Sequence, residues 1–231
     1  MFLTSGILGS VIGAAGTVIG GLLALLIGKR AHEPRPFLAF AGGMMVAVVF
    51  FDMLLESEEL GGMVRMCIGA SAGGIFFALA DPLFNHSEEP SLYSTGLLVL
   101  IGIALHNLPE GLAVGSSLVE SREAALSLGL LILVHDIPEG IVVCLPLQLS
   151  GMKIRRIFVL ALLTGVPTAL GSVIGTAIGS ISREMISFCI SFAGGAMLYI
   201  SLKELIPAAG KHKVFWSLMG LCVGFFMTEL I

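Results

Sequence analysis

Two hexapeptides hold the side chains best suited to chemistry, His106-Asn-Leu-Pro-Glu-Gly111 and His135-Asp-Ile-Pro-Glu-Gly140. In each, His and Glu are four residues apart, so on a helix His106 and Glu110 share one face, as do His135 and Glu139. Asn107 and Asp136 stand beside those faces. Two imidazoles and two carboxylates form a nitrogen and oxygen donor set that suits zinc, iron, manganese, cobalt or cadmium better than copper(I), which prefers sulfur. Pro109 and Pro138 each remove one backbone hydrogen bond and free the carbonyl four residues earlier, at Leu105 and Val134. Such a carbonyl is a further oxygen donor or water acceptor, and a kink is expected there. A lone buried His/Glu pair is commonly a structural hydrogen bond; its doubling favours a cation site, with Asn107 and Asp136 either ligating or orienting the ligands.

The elements that position these groups follow from composition. The chain has 231 residues, of which 56% are hydrophobic and 12% charged, with a mean hydropathy of +1.02, against roughly 25% charged residues in a soluble domain. A bilayer core about 30 Å thick asks for roughly 20 apolar residues per helix. Apolar segments lie at about 5–28, 37–55, 63–80, 95–118, 124–148, 154–179, 185–206 and 214–231. The expected fold is therefore an all-α integral membrane protein with eight transmembrane helices, a single transmembrane domain over 1–231. Small residues four apart, such as Gly16/Gly20 and Gly171/Gly175, favour close helix packing in lipid. Five ionisable groups in two adjacent membrane helices cost about 2.5–3.5 kcal/mol each on insertion scales. A bound cation offsets that cost.

The formal net charge of −4, with no basic run, argues against a nucleic-acid partner. Cys67, Cys144, Cys189 and Cys222 show no C-x-x-C spacing and read as packing residues. The first cation, Lys29, follows the first apolar stretch, so that stretch reads as a retained span. Lys29, Arg30, Arg35, Lys153, Arg155, Arg156, Lys211 and Lys213 fall on one side of the bundle. By the positive-inside rule that side is cytoplasmic and both termini face outward. Internal matches point to a 3+2+3 inverted repeat: Leu8–Gly13 recurs as Leu170–Gly175, Phe40-Ala-Gly-Gly as Phe192-Ala-Gly-Gly, and the two His/Glu hexapeptides match each other.

With these motifs the chain resembles the ZIP (Zrt/Irt-like) family of divalent metal transporters, in its bacterial ZupT/GufA-type branch. FAGGAMLYISLKELIPA and GVPTALGSVIG support the likeness. The resemblance implies eight helices in a 3+2+3 plan, movement of zinc or another divalent metal toward the cytoplasm by alternating access, and often a homodimer in the cell (inner) membrane. It implies no prosthetic group; the metal is the transported substrate. It further implies one metal on His106, Glu110, His135 and Glu139, and in some members a second on Asn107, Glu110, Asp136, Glu139 and a carboxylate of the sixth span. Here Thr168 stands where that carboxylate would be, so one principal cation is expected. Residues matching the family's transport path are Met45, Asp52, Glu59, Met197 and Glu204, with Thr168 a neutral oxygen beside it. Lys203–Glu204 reads as a pair snorkelling to the cytoplasmic end or serving a gate. Two rival readings share the site: an integral-membrane metalloenzyme, and a metal-gated channel or sensor. Against the enzyme, neither Glu-x-x-His nor H-E-x-x-H occurs.

Overall fold

The computed structural model describes residues 2–30, 36–84, 91–178 and 182–230; within them, the side chains of residues 29, 30, 83, 84, 120, 135, 208, 211, 212, 229 and 230 lie outside the description. Among the described residues every element is helical. They are α1 (Phe2–Arg30), α2 (Pro36–Val48), α3 (Leu54–Gly61), α4 (Met63–Phe84), α5 (Leu92–Glu120), α6 (Arg122–Leu149), α7 (Ile154–Leu163), α8 (Gly165–Ile178), α9 (Arg183–Ile200) and α10 (Lys213–Leu230). A π-helical stretch, Val49–Met53, joins α2 to α3 without a break; Ser201–Leu205 likewise prolongs α9. Polar residues at the starts fix several boundaries. The hydroxyls of Ser91, Ser121 and Ser182 accept from the amides of Ser94, Ala124 and Met185 at the first turns of α5, α6 and α9, satisfying amides with no partner inside the helix.

Among the described residues, seven helical runs are long and apolar enough to cross a membrane: Phe2–Gly28, Pro36–Gly61, Met63–Pro82, Leu92–Val119, Arg122–Leu149, Ile154–Ile178 and Arg183–Leu205. An eighth, Lys213–Thr228, is apolar but shorter. This departs from the eight full spans expected from sequence. The chain between α9 and α10 turns through a short 3-10 segment, Pro207–His212, with Gly210 at φ 63°, so α10 starts only at Lys213. The second run is longer than the apolar pattern indicated, reaching Gly61. Its acidic end, past the apolar segment 37–55, is helical as well. The Ser57 hydroxyl donates to the Ser187 carbonyl at 2.8 Å and Ser187 Oγ donates back to the Ser57 carbonyl at 2.7 Å, which fastens α3 to α9 beneath the carboxylates. Asp81, just past the apolar segment 63–80, is also helical and lies buried within α4.

Helices α1, α5, α6 and α8 pack on one another; α2 packs on α10, and α4 on α9. The apolar core, including Met45, Val48, Leu98, Ile103, Val142, Met197 and Ile200, lies where these groups meet. Close approach explains why both hexapeptides end in glycine. A Cβ at Gly111 would fall on the Thr168 carbonyl, and one at Gly140 on the Thr17 carbonyl. These contacts also revise one internal match. Gly171 sits against the Leu108 carbonyl, and the glycine against Ile137, the motif counterpart of Leu108, is Gly20; Gly9 instead packs on Thr168 and Ser172. The identical Leu8–Gly13 and Leu170–Gly175 thus make different contacts. Small residues recur in both helices because each needs close packing.

Candidate metal centre

Three side chains of the two hexapeptides converge where α5 faces α6. His106 Nε2 lies 3.2 Å from Glu110 Oε1 on its own helix and 3.6 Å from Glu139 Oε1 on the facing one. All three are largely shielded, with side-chain exposures of 5%, 12% and 4% in the same order. The first distance follows from the four-residue spacing; the second follows from the crossing of α5 and α6. His135 lies on α6, but its side chain is outside the described residues. Among the described residues no group of three or more His, Cys, Asp or Glu side chains is arranged to hold a metal ion.

Asn107 on α5 and Asp136 on α6 are fully buried. Asn107 Nδ2 donates to the Thr164 carbonyl at 2.9 Å, at the break between α7 and α8 that precedes Pro167. That bond orients its amide and leaves Asn107 Oδ1 without a hydrogen bond among the described residues. Both Asp136 oxygens, Glu110 Oε2 and Thr168 Oγ1 are in the same condition. A buried acceptor with no donor costs about 1–3 kcal/mol, and more when charged. Thr168 is fully buried, pressed between α1 and α5 where Gly13 and Gly111 leave room. The set is rich in lone pairs and poor in donors, which is the chemistry a cation satisfies.

Two hollows flank the cluster. One, of about 280 Å³, is lined by Asp52 and Glu56 as well as His106, Pro109 and Glu110. The other is a void of about 10 Å³ bounded by Met45, Val48, Pro138, Glu139, Val142 and Met197. The cluster therefore stands between a hollow that carries two further carboxylates and a small void flanked by two methionines. Met45 and Met197 are 4% and 1% exposed, so both are packed inside the bundle. Glu59 is exposed and lies outside the lining of the larger hollow; Glu56, on the same helix, takes the place at its rim.

Asp52 reaches the larger hollow from the π-helical stretch, whose register closes with Leu54 N–H bonded to the Val49 carbonyl. Glu204 occupies the matching stretch after α9, where Ile206 N–H bonds the Ser201 carbonyl at 3.0 Å. A π turn inserts one residue and re-aims its neighbours, and such turns recur at functional sites. Glu204 is buried and accepts from Thr95 Oγ1 at 2.9 Å. Lys203 turns away from it. Its ammonium pairs with Asp81 of α4 and donates to Tyr199 Oη at 2.7 Å, while Tyr199 Oη donates to Asp81 at 3.0 Å. Lys203 thus takes a partner from α4 while the adjacent Glu204 bonds Thr95, because neighbouring residues on a helix point in different directions. Neither π turns nor Thr95 and Asp81 were singled out from sequence; the shared acidic position, Asp52 and Glu204, was the available signal.

The ZIP zinc transporter family model matches residues 85–231, which include both hexapeptides. The chain is similar to the zinc transporter GufA of Myxococcus xanthus, 31% identical over 226 residues that cover 90% of this chain and 89% of the relative. It is 33% identical to the zinc transporter ZupT of Corynebacterium aurimucosum, over 90% of this chain and 88% of the relative. For the zinc transporter ZupT of Chlorobium phaeovibrioides the identity is 30%, over 96% of this chain and 94% of the relative. Matching over nearly its whole length, and carrying its acceptor-rich hexapeptides within the matched segment, the chain belongs to the ZIP family of zinc transporters.

Proposed function

We propose that this protein carries zinc, and with it iron, manganese, cobalt or cadmium, across the cell (inner) membrane into the cytoplasm by alternating access. The observation that carries this reading is His106 Nε2 set between Glu110 and Glu139 of two different helices, beside the hollow lined by Asp52 and Glu56. A hydrated cation gathers at Asp52 and Glu56, then exchanges water for His106, Glu110, Glu139 and, from the facing helix, His135. Asn107 and Asp136 either join or orient this shell. Release follows when α1, α5, α6 and α8 move against the remaining helices and the void at Met45 and Met197 opens toward Glu204. Family membership sets aside the metalloenzyme reading, since ZIP proteins are transporters.

The 3+2+3 inverted repeat is part of the same proposal. Support comes from contacts that recur in pairs: Gly111 on Thr168 beside Gly140 on Thr17, and Gly43 on Ser217 beside Gly195 on Ala70. Thr168 supplies no charge, so one principal cation per chain is proposed, in a homodimer with termini outside. Uptake into proteoliposomes tests the reading. The expected result is saturable zinc entry, inhibited by competing divalent metals, with about one zinc bound per purified chain; flux that fails to saturate would indicate a channel.

A further inference from the structure

A cavity of about 720 Å³ opens where α5 begins and α6 turns into α7, away from the His/Glu cluster. Lys153, Arg155 and Arg156 stand on its rim, and Leu97, Val159 and Leu160 form its wall. Among the described residues it is lined by no Asp or Glu, and none of the three cations has a carboxylate partner. The rim is held by a well-defined turn. Met152 N–H bonds the Leu147 carbonyl at 3.2 Å and Gly151 N–H bonds the Gln148 carbonyl at 3.0 Å, the pattern that ends a helix through a left-handed glycine. Gly151 has the required φ of 85°. A fixed turn thus presents the three cations on one rim, where the positive-inside rule asks only that they lie on one side.

The wall identifies the partner. Val159 is 49% exposed on a helix apolar enough to cross the membrane, and Tyr93 is 50% exposed across the cavity on α5. A soluble anion would meet the cations but gain nothing from this apolar surface, whereas a phospholipid presents a phosphate and acyl chains together. Tyr93 and Ser150 add hydroxyls at headgroup depth.

We propose that this cavity binds an anionic phospholipid, with its phosphate against Lys153, Arg155 and Arg156 and its acyl chains along Leu97, Val159 and Leu160. The inference rests on the membrane reading of the helices and not on the cation site. The bound lipid ties the start of α5, the helix that carries His106 and Glu110, to α7.

The test is native mass spectrometry of the delipidated full-length protein titrated with phosphatidylglycerol or phosphatidylcholine, alongside thermal melting. Phosphatidylglycerol should be retained in preference by on the order of tenfold and should raise the melting temperature. The triple variant Lys153→Gln/Arg155→Gln/Arg156→Gln should lose the preference while still transporting zinc in phosphatidylcholine vesicles. Single Arg155→Gln and Arg156→Gln variants, at exposed positions, serve if the triple variant does not fold and should each weaken the preference. Equal retention of the two lipids, a preference that survives these substitutions, or an equal melting shift from glycerol phosphate alone would overturn the proposal. Failure of the wild-type protein to take up zinc, with its lipid preference intact, would instead count against the cation site.

Discussion

His106 presents one nitrogen to two carboxylates that come from different helices, and in the proposed cation site that arrangement ties proton to metal. A protonated imidazole forms an ion pair with Glu110 and Glu139; a neutral one offers its lone pair to a cation. Metal and proton therefore compete for the same groups. Zinc affinity is expected to fall as pH drops, by about tenfold per pH unit for each proton displaced. Calorimetric titration at several pH values checks the sign; affinity that rises as pH falls would contradict it. His106→Ala removes a donor outright, so its affinity loss should exceed the ten- to hundredfold typical of losing a supporting residue. Thr168 marks the limit of this competition, because a hydroxyl takes no part in it at neutral pH.

At the scale of helices, the site depends on how closely α5 and α6 lie against their neighbours. Gly111→Val would drive a branched side chain into the Thr168 carbonyl, and overpacking of this kind costs about 1–3 kcal/mol. A lowered melting temperature in detergent is expected, with zinc affinity reduced because Glu110 shifts with its helix; an unchanged melting temperature would refute the close approach. The hexapeptides were legible because a spacing of four has one meaning on a helix. Other features had no comparable signal. Asp81 and Lys203 meet across 122 positions of sequence, and no local period reports such a contact. The helical run through Glu56–Glu59 was hidden because exposed carboxylates resemble a loop when the buried Ser57–Ser187 bonds cannot be seen. The repeated Leu-Gly-Ser-Val-Ile-Gly misled for the opposite reason, since identical small residues satisfy any close helix contact.

The whole molecule has a polarity that follows from its charges. Lys153, Arg155 and Arg156 crowd one end, while Arg122 and the acidic end of α3 lie at ends assigned to the other side. Single-cysteine variants in a cysteine-free background test this assignment in intact cells. A membrane-impermeant thiol reagent should label Arg122→Cys from outside and should label Lys153→Cys only after lysis; the reverse pattern would invert the proposed orientation. In the proposed route a cation passes from the hollow at Asp52 and Glu56 to the His/Glu cluster and on past Met45 and Met197, so it must pass Glu139. The most direct test is zinc uptake by proteoliposomes holding the wild type, Glu110→Gln or Glu139→Gln, substitutions that keep side-chain shape while removing charge. Uptake should saturate in the wild type and fall by at least on the order of tenfold in each folded variant. Undiminished zinc flux through both variants would contradict the account.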